Sequence, residues 1–249
     1  MYSQILEKKI YSKDIFQNIL NNFSKYKSES EILSFVNPYS YMVLKANLEV
    51  IKKVDYWFCD GYLLCFLSNL IRRRGDKINR TSFDFSSIAN LVFEKACLDK
   101  LRIVLIGGNE KEVNLAKDNL IIKYHSLQIV AAIGGYFKES KLDNILDNIN
   151  SLQPDIVIVG MGTPKQEIIS YQIKCKLTKG ALIFTCGGFI TQTSISLDFY
   201  NNWSKNNFRW LQRAIMFKHV RRRLIKDYPV FVIIYLFDVL MLKTKFKSI

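Results

Sequence analysis

Apolar and polar positions along this chain follow two periods that alternate. Short runs rich in β-branched and aromatic residues occupy 32–36, 54–59, 102–106, 127–132, 155–159 and 181–185. They are too short for helices, and they read as strands buried on both faces. Helical spacing fills 13–33, 40–53, 62–73, 84–99, 110–124, 139–151 and 165–176. From residue 101 onward, strands alternate with helices of roughly ten to fifteen residues, the pattern of βαβ units. The expected fold is therefore α/β: a Rossmann-like parallel sheet with helices on both faces, followed by a basic helical C-terminal appendage.

Four successive strands end in glycine loops: Gly107-Gly108-Asn109, Gly134-Gly135-Tyr136-Phe137, Gly160 through Glu167, and Cys186-Gly187-Gly188-Phe189. Right-handed crossovers bring such ends to one edge of a parallel sheet, where ligands of open α/β sheets bind. The third loop reads Gly160-Met161-Gly162-Thr163-Pro164-Lys165-Gln166-Glu167. Its glycines let backbone approach a ligand, Lys165 supplies a charge for phosphate, and Gln166 both donates and accepts. An ordinary strand-to-helix turn is the alternative. The dinucleotide fingerprint GxGxxG and the phosphate loop GxxxxGK[ST] are both absent, which argues against a nicotinamide cofactor and against an ATPase.

Charge changes the picture at the C-terminal end. The chain of 249 residues has a formal charge of +14. Residues 201–249 hold eleven Lys or Arg against Asp227 and Asp238, and so account for +9 of that total. Helical spacing over 203–226 bears Trp203, Trp210 and the cations, and apolar runs follow at 230–237 and 239–242. These runs fall short of the roughly 20 residues that span a bilayer. A basic helix beside a short apolar one fits an anionic membrane surface, contacted through 203–243. Docking of the apolar helix on the core is the alternative. Five scattered cysteines and two histidines lack metal-site spacing and fit reduced thiols. The segment 1–11 has charges and no apolar stretch of a secretion signal, so a cytoplasmic location is expected.

Asp60 follows Trp57-Phe58-Cys59 at a strand end, which places a partly desolvated carboxylate as a candidate general base; an Asp-Gly turn is the alternative. Arg80 lies in Asn79-Arg80-Thr81-Ser82-Phe83-Asp84. Its guanidinium suits a diphosphate, while Ser82 or Asp84 suits a helix cap, and a plain surface arginine beside such a cap fits as well. Arg209, Arg213 and Arg221 share one helical face, with Arg223 turned away. Such a row can neutralise a pyrophosphate leaving group, or simply face solvent or lipid.

Taken together, these motifs resemble the WecG/TagA/CpsF glycosyltransferases, glycosyltransferase family 26. The resemblance rests on Asn37, Asp60-Gly61, Arg80 with Asp84, the four glycine loops, Arg209-Trp210-Leu211-Gln212-Arg213 and Lys218-His219-Val220-Arg221-Arg222-Arg223, and covers about residues 30–230. It implies inverting transfer, without a metal or other cofactor, from a UDP-sugar to a polyprenyl-diphosphate-linked acceptor in exopolysaccharide, capsule or cell-wall polymer synthesis. It implies Asp60 as the base, Arg80 at substrate phosphates and Gln166 at the sugar or nucleotide. Asn37, Gly61, Asp84, Gly108, Asn109, Gly135, Tyr136, Phe137, Gly162, Pro164, Lys165, Glu167, Gly187 and Gly188 are implied around the substrates. Arg213, Arg221 and Arg223 are implied in an appendage that closes the site at the membrane. The chain departs from the family pattern at Phe35, at Phe83 and at Ile190-Thr191-Gln192-Thr193. The last variant is similar to exopolysaccharide or capsule members, and the donor sugar stays open.

The expected organisation is a catalytic domain over 1–200, with its nucleotide-sugar half from about 101, and an appendage over 201–249. Expected partners are the UDP-sugar, the lipid-linked acceptor and an anionic membrane on its cytoplasmic side, with self-association into a homo-oligomer left open. A nucleic-acid-binding protein and a non-catalytic membrane adaptor are the competing readings of the charge. The four glycine loops have no task in nucleic-acid binding, so no nucleic-acid partner is expected.

Overall fold

The computed structural model describes residues 2–24, 28–73, 76–197, 209–216 and 218–246. Helix α1 (Tyr2–Lys9) and the two-residue strand β1 (Ile10–Tyr11) precede α2 (Lys13–Asn22) and β2 (Glu31–Val36). Then come α3 (Pro38–Lys45), α4 (Leu48–Lys53), β3 (Tyr56–Cys59), α5 (Tyr62–Ile71) and α6 (Ala89–Leu98). The second half runs β4 (Arg102–Gly107), α7 (Glu110–Lys123), β5 (Gln128–Ile133), a 3-10 turn (Glu139–Lys141), α8 (Leu142–Ser151), β6 (Ile156–Gly160), α9 (Lys165–Lys176), β7 (Leu182–Thr185) and α10 (Phe189–Ile195). The tail holds α11 (Arg209–Met216), α12 (Lys218–Arg222), a π-helical turn (Arg223–Asp227) and α13 (Tyr228–Phe246).

Seven strands among the described residues form one sheet, all parallel, in the order β1-β3-β2-β7-β6-β4-β5. Because side chains alternate along a strand, each strand feeds two cores. On one face Val36, Trp57, Ile106, Val159 and Ile183 meet Leu44, Leu64, Leu146 and Ile173 from α3, α5, α8 and α9. On the other, Phe35, Phe58, Leu105, Ile158 and Phe184 meet Phe16, Phe93, Ala116 and Phe189 from α2, α6, α7 and α10. This is the expected parallel sheet covered on both faces. The helices that follow β2 and β6 go to the first face and α10 after β7 goes to the second, so the chain parts above β7 and leaves a crevice there.

Several boundaries differ from the sequence expectation. The helix over 40–53 is two helices, because Asn37 and Ser40 form a capping box that starts α3 at Pro38, and Asn47 then closes it by donating from Nδ2 to the Val43 carbonyl at 2.8 Å. The helix over 84–99 begins only at Ala89, since Asp84 is occupied by a turn that accepts the Ser86 N–H at 2.8 Å. The helix over 13–33 stops at Asn22, and α1, β1 and α10 had not been foreseen. Of the helix over 203–226 the described residues give α11 and α12 and then a π-helical turn from Arg223; Trp203 and Lys205 lie outside the described residues.

The tail helix α13 docks on the core, the alternative to membrane contact considered above. Phe231 and Tyr235 are buried, each with its ring centroid 5.4 Å from that of Tyr41 on α3. Two such rings contribute about 1.5–3 kcal/mol each. The Tyr235 hydroxyl donates to Glu7 Oε1 at 2.7 Å, and Lys45 pairs with Asp238 at 2.9 Å. The other side of α13 stays apolar and exposed at Val230, Ile233 and Phe237. No helix of the described residues is long and apolar enough to cross a membrane.

Candidate active site

Strand register builds the site. Val36 pairs with Cys59, so the residues that follow them, Asn37 and Asp60, stand side by side at the sheet edge. The Asp60 N–H donates to the Val36 carbonyl at 2.8 Å, and the Thr81 N–H donates to the Cys59 carbonyl at 2.8 Å, which draws the 80–84 segment over β3. Val159 pairs with Thr185, so Gly160 and Cys186 are likewise neighbours. A Cβ on Gly160 would lie 2.8 Å from Cys186 Sγ and 2.9 Å from the Gly187 carbonyl, which explains a glycine where these two loops cross. Gly61 has φ +105° and abuts Pro38 and Asn37, a backbone that glycine adopts without strain.

Over these four strand ends lies a cavity of about 450 Å³. Asn37, Asp60, Arg80 and Asp84 line one side; Gly162, Lys165, Gln166, Gly187 and Gly188 line the other. Phe35 and Phe83, two of the departures from the family pattern, also line it and pack on each other with ring centroids 6.4 Å apart.

Arg80 joins the two carboxylates of its wall. Its Nη2 donates to Asp84 Oδ2 at 2.5 Å and to Asp60 Oδ1 at 3.3 Å. Burial works against the guanidinium charge, but the carboxylates of Asp60 and Asp84 outweigh it and raise its pKa, so Arg80 is permanently charged. Asp84 completes its shell with the N–H and hydroxyl of Ser86. The Asp60 side chain is 25% exposed and opens to the cavity. It combines a fixed backbone with an accessible oxygen, the geometry a base needs.

Opposite stands a buried polar network. Gln166 Oε1 accepts the Gly187 N–H at 3.1 Å, while its Nε2 donates to Glu167 Oε1 at 2.9 Å. The same oxygen of Glu167 accepts from the Ser34 hydroxyl at 2.9 Å and the Thr163 hydroxyl at 3.1 Å, and Ser34 lies 2.8 Å from Thr185 Oγ1. Glu167 thus fixes which way the Gln166 amide faces, and Gln166 in turn holds the Gly187 loop. Burial pushes the Glu167 carboxyl up, against the pull of its hydrogen bonds to Gln166 and Ser34. The stabilisation of its protonated form is fully present below the pH where an unfolded glutamate titrates, and it is lost as the pH rises towards the folded value. Glu167→Gln keeps the acceptor and removes the charge, so its stability is expected to decline less between mildly acidic and neutral pH than that of the parent chain. Urea unfolding at a series of pH values checks this, and parallel pH profiles would refute it.

Burial pushes the Cys186 thiol at the cavity wall up to about 12, which favours its neutral form. Pro164 follows a cis peptide bond at the start of α9. Lys165 borders the cavity, donates from Nζ to the Gly135 carbonyl at 3.1 Å and lies 5.2 Å from the Phe137 ring centroid. Lys165 therefore links the cavity to the β5 loop. Gly108, Asn109, Gly135, Tyr136 and Phe137 themselves lie outside the lining. Asn109 caps α7, with Oδ1 accepting the Glu112 N–H at 2.9 Å, and Tyr136 is 85% exposed. Arg213 sits on α11, Arg221 on α12 and Arg223 at the start of the π-helical turn. The Arg221 side chain is exposed and donates to the Ile215 carbonyl at 3.3 Å.

The sequence reading missed Ser34, Thr163 and Thr185. Each supports Glu167 or its neighbours, and two of them leave a signal: Ser34 and Thr185 are the polar members of otherwise apolar parallel strands. Among the described residues no three His, Cys, Asp or Glu side chains are grouped as metal ligands.

The model of the glycosyl transferase WecG/TagA/CpsF family matches residues 5–245, a longer span than the motifs alone suggested. A protein of Shigella boydii described as UDP-Gal:alpha-D-GlcNAc-diphosphoundecaprenol beta-1,4-galactosyltransferase is 40% identical over 224 residues, 89% of this chain and 92% of that protein.

Proposed function

The chain belongs to the WecG/TagA/CpsF glycosyltransferase family, and from that premise we propose that it transfers galactose from UDP-galactose to an N-acetylglucosamine carried on a polyprenyl diphosphate, with inversion at the anomeric carbon. The donor and acceptor follow the similarity to the Shigella boydii galactosyltransferase. The observation that carries the chemistry is the Asp60–Arg80–Asp84 group facing Gln166 and Lys165 across the cavity.

In this reading the acceptor hydroxyl binds beside Asp60, which takes its proton as the oxygen attacks the anomeric carbon. The carbon–oxygen bond to UDP breaks on the opposite face, and UDP departs with its negative charge. Lys165, on the wall opposite Asp60, is the cation that lines that side of the cavity among the described residues, used in place of a metal. The basic tail, 203–243, supports an anionic membrane surface on the cytoplasmic side as the place where the lipid-linked acceptor is met. Arg213, Arg221 and Arg223 belong to the part of the chain that closes over the bound substrates.

The test is to incubate the full chain with a synthetic N-acetylglucosaminyl diphospholipid and a panel of UDP-sugars, then weigh the lipid product by mass spectrometry. One hexose added from UDP-galactose, with or without EDTA, is the expected result. Gain of an N-acetylhexosamine would replace the donor, loss with EDTA would overturn the metal-free step, and no transfer from any donor would sink the reading.

A further inference from the structure

Helix α5 begins two residues after Asp60 and carries an apolar stripe that is exposed among the described residues. Tyr62, Phe66 and Leu70 recur at every fourth position and are 57%, 62% and 60% exposed. Leu64, Cys65, Leu67 and Ser68 on the opposite side are buried. The helix has no charged residue, and its two polar side chains besides tyrosine are turned to the protein. Ser68 donates to Glu7 Oε2 at 2.8 Å, and Asn69 exchanges hydrogen bonds with the backbone of Ile78 at 2.8 and 2.9 Å. A solvated helix normally shows charge on its outer face, so a row of large apolar side chains marks a surface with a partner.

Both ends of the stripe carry information. At the near end the Tyr62 ring centroid lies 6.0 Å from the Arg80 guanidinium, so the stripe opens at the cavity wall. Past its far end the sequence reads Arg72-Arg73-Arg74-Gly75-Asp76-Lys77; Arg72 turns inward to pair with Glu7 at 3.2 Å, while the Arg73 and Lys77 side chains are exposed. Apolar side chains bordered by long cationic ones match the interface of an anionic bilayer, where the stems lie in the hydrocarbon boundary and the charges reach the headgroups. A second copy of this chain fits worse. The three side chains expose on the order of 300–400 Å², against roughly 800 Å² per partner in a stable dimer. Pairing would also bring two basic runs together.

We infer that the Tyr62–Phe66–Leu70 face of α5 rests on an anionic lipid bilayer and brings the mouth of the cavity to it. The tail is tied to the same helix from its buried side: Glu7 holds Ser68 of α5 on one carboxylate oxygen and Tyr235 of α13 on the other. The inference rests on the reading of a lipid-linked acceptor, and it adds a contact element that the tail does not supply.

The experiment uses the full chain and its Phe66→Glu/Leu70→Glu variant, with Phe66→Ser/Leu70→Ser as a milder partner and thermal melting to verify folding. Sedimentation with vesicles of phosphatidylethanolamine and phosphatidylglycerol is expected to show binding at least tenfold weaker for the Glu variant. Transfer to a long-chain acceptor in vesicles should fall in step, while transfer to a short-chain, water-soluble acceptor stays within about twofold. Unchanged vesicle binding by both folded variants would overturn the inference. So would equal losses on both acceptors, or an altered oligomeric state with vesicle binding intact. A parent chain that transfers to neither acceptor would sink the proposed function instead, and the vesicle measurement would still decide the role of this face.

Discussion

Asp60→Asn is expected to fold like the parent chain and to lose about 10²–10⁴-fold in kcat. The substitution keeps the shape of the side chain and an oxygen that still accepts from Arg80, so the 80–84 segment has no reason to move. What disappears is the ability to take a proton from the attacking hydroxyl. Donor binding, which uses the far side of the cavity, should change little, so KM for the UDP-sugar stays near the parent value. Single-turnover transfer, with thermal melting alongside, makes the distinction. Near-normal turnover by a folded Asp60→Asn chain would remove Asp60 from the role of base.

Arg80→Met should cost both stability and activity. Arg80 bridges Asp60 and Asp84, and its side chain is 17% exposed, so its removal leaves two carboxylates facing each other with no cation between them. Breaking such a partly buried group costs about 3–5 kcal/mol. Activity should fall by about 10²-fold or more, because the base loses the partner that orients it. Arg80→Lys separates the two effects: an ammonium keeps the charge but not the planar guanidinium, whose Nη2 serves both carboxylates while Nη1 reaches the Ser86 hydroxyl at 3.5 Å, so it should recover stability more than turnover. A Met variant with the parent's melting point and kcat would make Arg80 a bystander.

Much of this architecture can be read before any coordinates exist, for a physical reason. Strands such as Ile156–Gly160 are buried on both faces, so nearly every position is apolar and the run declares itself. Four of them then stop at glycine loops, and at Gly160 the reason is the close crossing with Cys186 and the Gly187 carbonyl. Asp60, Arg80, Asp84, Gln166 and Lys165 all reach the same cavity because register aligns the strand ends. What could not be read depends on contacts far apart in sequence. Asp84 looks like a helix cap until Arg80 and Ser86 are seen to occupy it. The apolar run at 230–237 looks free until Tyr41 and Glu7 are found beneath it. Ser34 looks like an interruption in a strand until Glu167, 133 residues later, supplies the reason. The glycine loops after β4 and β5 share the sheet edge with the others but stand beyond the cavity, a difference that strand order decides and local sequence does not.

The seam between β2 and β7 has a consequence for how the chain is made. Ser34 and Thr185, 151 residues apart, face each other there; Leu33 pairs early with Tyr56 of β3, but its partner strand on the other edge begins only at Leu182. At about 5–20 residues per second, a nascent chain carries an unpaired β2 edge for roughly 8–30 s before its partner is synthesised. Long-range parallel pairing of this kind closes late and slowly. The Asn37–Asp60 half of the cavity and the Gln166–Gly187 half therefore meet only when almost the whole sheet exists, and no partly synthesised chain holds a complete site. Over that interval the newborn protein needs protection of an open strand edge, a demand written into its strand order.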